Sequence, residues 1–387
     1  MIQSEPSKTV AAFAQGDLQL VRVPDNPKLQ AWDAADEYLL SHLTEINLPI
    51  SDQSLLIIND AFGALSIACH EFGPFQWQDS VLAQMATRKN LALNDHTEGK
   101  VRFNETIDFP TEKFDLVLMR IPKSTAMLEH QLYQLRQNLH PKTQIIAAGM
   151  SRQIHSSTLK SFEKILGSTR TSLAIKKARL IFVEHNPALT DEQPASIDSY
   201  DIEIDRDYLI QSYPGVFSRD GLDKGSQFLL ENLPATDTFK SIADLGCGSG
   251  VLGIVAAVMN PEAFITFVDE SMMAIESARL NFKTAFEDSR HAEFELGNAL
   301  ENANKDQFDL ILNNPPFHQN QAVGDSLAWQ MFKDSRRCLK PEGQLWVVGN
   351  RHLGYHIKLK KIFGNCTIQA SNNKFVILSS TKTSKAN

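Results

Sequence analysis

The sequence predicts an α/β protein of two tandem, doubly wound domains, the first a degenerate copy of the second. Three observations carry this. The chain of 387 residues is long enough for two or three domains of roughly 100–200 residues each. Part of the sequence occurs twice. Phe114-Asp115-Leu116-Val117-Leu118 returns 194 positions later as Phe308-Asp309-Leu310-Ile311-Leu312, Leu139-His140-Pro141 returns as Leu339-Lys340-Pro341, and Lys164-Ile165-Leu166-Gly167 returns as Lys361-Ile362-Phe363-Gly364. Finally, short apolar β-rich runs alternate with amphipathic helical stretches, the pattern of parallel sheets covered by helices on both faces.

The elements follow in chain order. The first domain is expected over 1–190. A polar connector, 191–205, follows Pro187, includes Pro194 and has no apolar periodicity. The second domain, 206–387, has strand candidates at 242–245, 264–268, 310–312, 344–348 and 375–378, with helices between them at 251–259, 272–286 and 328–338. Composition excludes other classes. With 42% hydrophobic and 22% charged residues the chain is neither disordered nor fibrous. No apolar run approaches the roughly 20 residues that span a bilayer. Cys69, Cys247, Cys338 and Cys366 lie far apart without CxxC spacing, so neither a disulfide framework nor a bound metal is expected, and the cytoplasm is the natural setting. The formal charge of −8 argues at first against a polyanionic partner.

The sharpest local signal is Ser241-Ile-Ala-Asp-Leu-Gly-Cys-Gly-Ser-Gly-Val-Leu-Gly253, a buried strand running through Gly246, Gly248 and Gly250 into a helix. Glycines there let the backbone approach a ligand closely, at the strand ends where open parallel sheets bind. Asp269 ends the next strand and can accept both hydroxyls of a ribose. Gly248 to Gly253 also satisfies the dinucleotide pattern, so the loop alone says only that the cofactor contains a nucleoside. Asp244, two residues before the first glycine and able to meet an ammonium group, favours S-adenosylmethionine over a nicotinamide.

After the run at 310–312 comes Asn313-Asn314-Pro315-Pro316-Phe317-His318. Two prolines remove two backbone donors and stop the strand. The Asn314 side-chain oxygen and the Pro315 carbonyl are then two acceptors aimed at one place, which suits a substrate NH2 group. Phe317 offers a flat face for a base. Such a site fits methyl transfer to a weakly nucleophilic exocyclic amine, where catalysis is mostly positioning. His318 is a candidate proton acceptor or substrate contact.

Together, Asp244-Leu-Gly-Cys-Gly-Ser-Gly250 and Asn314-Pro-Pro-Phe317 resemble the class I S-adenosylmethionine-dependent methyltransferases that modify exocyclic amines. Gly215-Val216-Phe217-Ser218-Arg219-Asp220-Gly221-Leu222-Asp223-Lys224-Gly225, Asn350-Arg351-His352-Leu353 and Asn372-Asn373-Lys374-Phe375 resemble the bacterial ribosomal RNA guanine-N2 methyltransferases built by tandem duplication, most of all those acting on 23S rRNA. The resemblance implies two tandem Rossmann-like class I methyltransferase domains, the first degenerate. It implies S-adenosylmethionine bound by Asp244, Gly246, Gly248, Gly250, Asp269 and Asn298. Asn314, Pro315 and Phe317 would be catalytic, with Phe217, Arg219, Asp223, His318 and Arg351 near the substrate. The implied partner is 23S rRNA, met by a monomer without a membrane. A 16S rRNA target, an adenine N6 or protein glutamine target, and an RNA-binding protein without chemistry are the alternatives.

The first copy has lost these motifs. Asn59-Asp60-Ala61-Phe62-Gly63-Ala64 stands roughly where the glycine loop belongs, and Arg120-Ile121-Pro122-Lys123 where Asn314 to Phe317 belong. That exchange of acceptors for positive charge reads as a place for a phosphate. Two basic runs sit at repeat-equivalent positions. One holds Arg152, Lys160, Lys164, Arg170, Lys176, Lys177 and Arg179; the other holds Arg336, Arg337, Lys340, Arg351, Lys358, Lys360 and Lys361. The negative total therefore weighs little against RNA.

Overall fold

A computed structural model describes residues 9–26, 29–46, 54–189, 197–219, 221–234, 236–316 and 321–383, with the backbone alone for 9 and 321–325. The chain divides into two compact units, Met1–Ser196 and Ile197–Asn387.

The first unit opens with a hairpin, β1 (Thr9–Phe13) and β2 (Gly16–Leu20), followed by α1 (Ala34–Glu45). Then come β3 (Leu55–Ile58), α2 (Ala64–Ala68), β4 (Phe75–Trp77), α3 (Val81–Leu93), β5 (Arg102–Phe103), β6 (Leu116–Arg120), α4 (Thr125–Leu135), β7 (Gln144–Met150), α5 (Ser156–Ile165), β8 (Thr169–Thr171) and β9 (Ala178–Val183). The second unit repeats the scheme. Its hairpin is β10 (Asp198–Glu203) and β11 (Asp207–Ser212), followed by α6 (Lys224–Leu230), β12 (Ser241–Leu245), α7 (Val251–Met259), β13 (Phe264–Asp269), α8 (Met272–Phe286), β14 (Ala292–Leu296), β15 (Phe308–Asn313), α9 (Gln321–Cys338), β16 (Leu339–Asn350), α10 (Tyr355–Phe363), β17 (Thr367–Ser371) and β18 (Phe375–Thr381).

The two seven-stranded sheets have the same order, β5-β4-β3-β6-β7-β9-β8 and β14-β13-β12-β15-β16-β18-β17. In each sheet six strands share one direction, and the next-to-last, β9 or β18, runs antiparallel to both of its neighbours. Strand order reverses direction beside β12, between β13 and β15, the switch point at which such sheets bind ligands.

The apolar runs read as continuous because both faces are covered. In the second unit Ile242, Leu310, Leu312, Trp346 and Val348 face one core with α7 and α8. Ala243, Leu245, Ile311, Leu345 and Val347 face the other with α9 and α10. Leaving water, each large side chain there contributes about 1.5–3 kcal/mol.

Four strands depart from the sequence reading. The expected connector at 191–205 is not all connector, because Asp198–Glu203 forms β10. It escapes notice because Ile202 is its single buried position. β14 and β17 are edge strands with mostly half-buried or exposed side chains, so they lack an apolar run. The run at 344–348 belongs to a longer strand that begins at Leu339, with an irregularity in its pairing to β15 between Phe308 and Leu310.

Candidate active site

Four strand ends of the second unit build one edge. β12 leads into a loop whose Gly246, Gly248 and Gly250 have φ of 72°, 53° and 82°. Only glycine adopts such left-handed angles without strain. Around Gly248 nothing lies within 4 Å of where a Cβ would be, so the backbone is open to a ligand there. Gly250 is instead enclosed: its Cβ would lie 2.9 Å from the Ala278 Cβ as the loop turns into α7.

Asp244, on β12, is fully buried. Its Oδ2 accepts the Gly253 N–H at 2.8 Å, while Oδ1 has no protein hydrogen bond. Burial, with the Asp269 charge adding, pushes this carboxyl up to about 8. Desolvation disfavours the charged form, and a cation beside the free oxygen would restore it. Asp269, at the end of β13, accepts the Gly248 N–H (2.9 Å) and the Ser271 N–H (3.0 Å), so this strand-end acid and the glycine loop are tied together. Burial raises its pKa as well. Beyond β14, the Gly297 N–H donates to the Asp269 carbonyl, and Asn298 gives its amide N–H to Glu301 at 2.7 Å. The buried Oδ1 of Asn298 is left without a partner.

Asn313 and Asn314 close the edge at β15. Asn313, which the sequence reading passed over, donates to the Leu245 carbonyl at 2.7 Å and locks β15 to the root of the glycine loop. Asn314 donates from Nδ2 to Asp223 Oδ2 (3.1 Å) and Ser226 Oγ (2.8 Å). Its Oδ1 is buried without a hydrogen bond. Asp223 caps α6, accepting the N–H groups of Gly225 and Ser226. Pro315 is buried beside Asn314. Phe317 and His318 lie outside the described residues.

In the segment before α6, Phe217 is 56% exposed next to Ser218, whose φ is 59°. Arg219 is ion-paired with Asp198 of β10 at 2.6 Å. Arg351 follows β16, exposed, its backbone N–H bonded to the Lys374 carbonyl.

The first unit shows the same frame filled in. The ladders align Ile57 with Leu118 as they align Asp244 with Leu312, so Ile57 stands in the place of Asp244 and packs with Ala35 and Leu39 of α1. Gly63, with φ of 84°, matches Gly250 as the left-handed residue before its helix. Asp60 sits inside the loop and accepts from the Gly63 and Ser66 N–H groups; burial raises it to about 6. By the same registers Gln78 replaces Asp269.

The phosphate reading of Arg120 is overturned. Its guanidinium, largely buried, bonds bidentately to Asp33 at 2.9 Å and also to Asp36. With Nη1 and Nη2 held by two carboxylates and Nε buried, this cation is closed to an external anion. The basic runs are also thinned: Lys176 pairs with Glu37, Lys340 with Asp309, and Arg337 donates to the carbonyls of Leu300 and Ala303.

Comparison with known proteins agrees with this division. Residues 8–187 match the family described as RLMG N-terminal domain, and residues 207–379 that described as methyltransferase small domain. The chain is 45% identical over 373 residues to the ribosomal RNA large subunit methyltransferase G of Streptomyces coelicolor, covering 95% of this chain and 98% of that one. It is 48% identical over 372 residues to that of Klebsiella pneumoniae strain 342, covering 95% and 96%. Among solved structures, the T. thermophilus 16S rRNA N2 G1207 methyltransferase, in complex with AdoMet and guanosine, superimposes with a TM-score of 0.77 at 20% identity, over 97% of this chain and 98% of that one. That is a likeness of fold.

Proposed function

The chain belongs to the ribosomal RNA large subunit methyltransferase G family, and from that premise we propose that its second domain transfers a methyl group from S-adenosylmethionine to the exocyclic N2 amine of one guanine in 23S rRNA. The observation that carries the reading is the unpartnered, buried Oδ1 of Asn314 on the same sheet edge as the glycine loop and the unpartnered Oδ1 of Asp244.

The residues fit the cofactor. Asp244 Oδ1 suits an ammonium group, Asp269 suits ribose hydroxyls, the Asn298 Oδ1 suits an adenine amine, and the open backbone at Gly248 allows close approach. Bound there, S-adenosylmethionine supplies an activated methyl sulfonium. The protein's part is to hold the amine. Asn314 Oδ1, with the Pro315 carbonyl, accepts hydrogen bonds from the NH2 group and turns its lone pair towards the methyl donor. No strong base is required, because the proton leaves after transfer. The guanine must be unpaired or flipped, since N2 lies on its Watson–Crick edge. Phe217, exposed beside the site, and Phe317 offer stacking faces. Arg219 is a brace for this segment through Asp198 rather than a free cation. The first domain contacts rRNA phosphates through exposed Arg152, Lys160 and Lys164, and the protein works as a cytoplasmic monomer.

The test is a map of methylated guanines in ribosomal RNA from a strain lacking this protein. One N2-methylguanine should vanish from 23S rRNA and return when the purified protein and S-adenosylmethionine are added. An unchanged 23S profile defeats the reading, and a loss in 16S rRNA moves it to the small subunit.

A further inference from the structure

Asn314 serves as an acceptor only if its amide points the right way. A side-chain amide is nearly symmetric in shape, and a half-turn exchanges one acceptor oxygen for two N–H donors. Facing a guanine NH2, the turned amide would oppose donor to donor. Something must therefore break the symmetry.

The structure contains that device. Asp223 Oδ2 lies 3.1 Å from Asn314 Nδ2, and Ser226 Oγ lies 2.8 Å from the same nitrogen. An ionised carboxylate only accepts, so the group facing it must be NH2. The carboxylate oxygen is itself fixed, because it takes the Gly225 N–H at 2.9 Å and the Ser226 N–H at 3.0 Å as the cap of α6. With both N–H donors of Asn314 engaged, its Oδ1 is left buried and unbonded.

The first unit supports the assignment independently. Asp33 caps α1 as Asp223 caps α6, and Asp36 stands three residues on, as Ser226 does. These two residues hold Arg120, the residue in the position of Asn314. In both copies the helix cap and the residue three positions later grip the side chain at the end of the central strand.

We propose that Asp223 and Ser226 are positioning residues that orient the Asn314 amide with its oxygen towards the substrate, which selects an amine as the methyl acceptor. The proposal rests on the reading that Asn314 addresses the target amine.

The test uses the full-length protein, tritiated S-adenosylmethionine and 23S rRNA from a strain lacking the protein. Glycine is itself a tolerated helix N-cap, and Asp223→Gly removes the acceptor. It should lower kcat by about 10²-fold, the scale of a misplaced catalytic group. The KM values should stay within about threefold. Asp223→Asn should keep kcat within about fivefold, because its carbonyl oxygen can still accept from Asn314 while it caps α6. In an Asn314→Ala background, adding Asp223→Gly should change the rate by less than about threefold, since residues acting through one another are not additive. Full activity in Asp223→Gly, equal loss in Asp223→Asn, or multiplying losses in the double variant would each overturn the proposal. Full activity in Asn314→Ala would instead bring down the reading of the site on which it rests.

Discussion

At the end of β15, Asn314 is hydrogen-bonded to Asp223 and Ser226; at the end of β6, Arg120 is ion-paired to Asp33 and Asp36. The frame is the same, down to the helix cap that supplies one partner in each. The difference lies in what is left over. A neutral amide with both donors engaged still has an oxygen to offer. The Arg120 guanidinium spends Nη1 and Nη2 on its carboxylates, keeps only a buried Nε without a partner, and has no acceptor to offer. The same contrast repeats along the edge, where Asp244 and Asp269 face Ile57 and Gln78. The second unit leaves carboxylate and amide oxygens open along this edge, where the first has an apolar and a hydrogen-bonded side chain in the Asp244 and Asp269 positions. An unpaired buried group is costly, and both units carry some, Gln76 Oε1 and Arg120 Nε among them in the first.

The largest effect that would break this contrast is chemical. Asn314→Ala should lower kcat about 10³-fold, the upper range for losing one preorganised group. Calorimetry should still find one S-adenosylmethionine per chain with little change in affinity, and two would mean that the first unit is not retired. The next effect is structural. Arg120→Ala strands Asp33 and Asp36; a fully buried pair costs about 3–5 kcal/mol to break, and solvent around the half-exposed Asp33 brings the expected loss here to about 2–3 kcal/mol. A urea titration should show the first unit unfolding well before the second, and near-neutral behaviour would mean the ion pairs do not hold that unit.

The smallest effect sharpens the comparison by its sign. Asp244 is raised to about 8 in the folded state against an unfolded value near 3.8. The folded protein therefore binds the proton more tightly, and stability falls as pH rises between those two values. Asp244→Asn removes this loss. It should raise Tm at pH 7.5, with the gain closing below pH about 4, while binding of S-adenosylmethionine disappears. A lower Tm at pH 7.5 would show that the carboxyl stabilises the free protein.

Most of the fold was legible because it is written in local runs. Buried strands, glycine turns and a repeated pentapeptide can be recognised without knowing what touches what. Asp244, Asp269 and Asn314 stand out as candidates for the same reason, lying at strand ends beside glycines or prolines. What the sequence hides is partnership over distance. Asn314 meets Asp223 and Ser226 across 91 and 88 positions, and Arg120 meets Asp36 and Asp33 across 84 and 87. Read alone, Arg120 is a free charge; folded, it is half of a closed network. Asn313 was passed over because its doublet with Asn314 suggested one functional residue, although its bond to the Leu245 carbonyl fastens β15 to the loop.

The matched ladders bear on how the chain assembles. β6 and β15 carry nearly the same apolar sequence and the same neighbours in order, so either could enter the other's sheet with its side chains facing correctly. Exchange between like repeats is a characteristic misassembly of tandem proteins. Synthesis in chain order separates the two strands in time, because domains fold as units from the N-terminal side and residues 116–120 leave the ribosome well before residues 308–313.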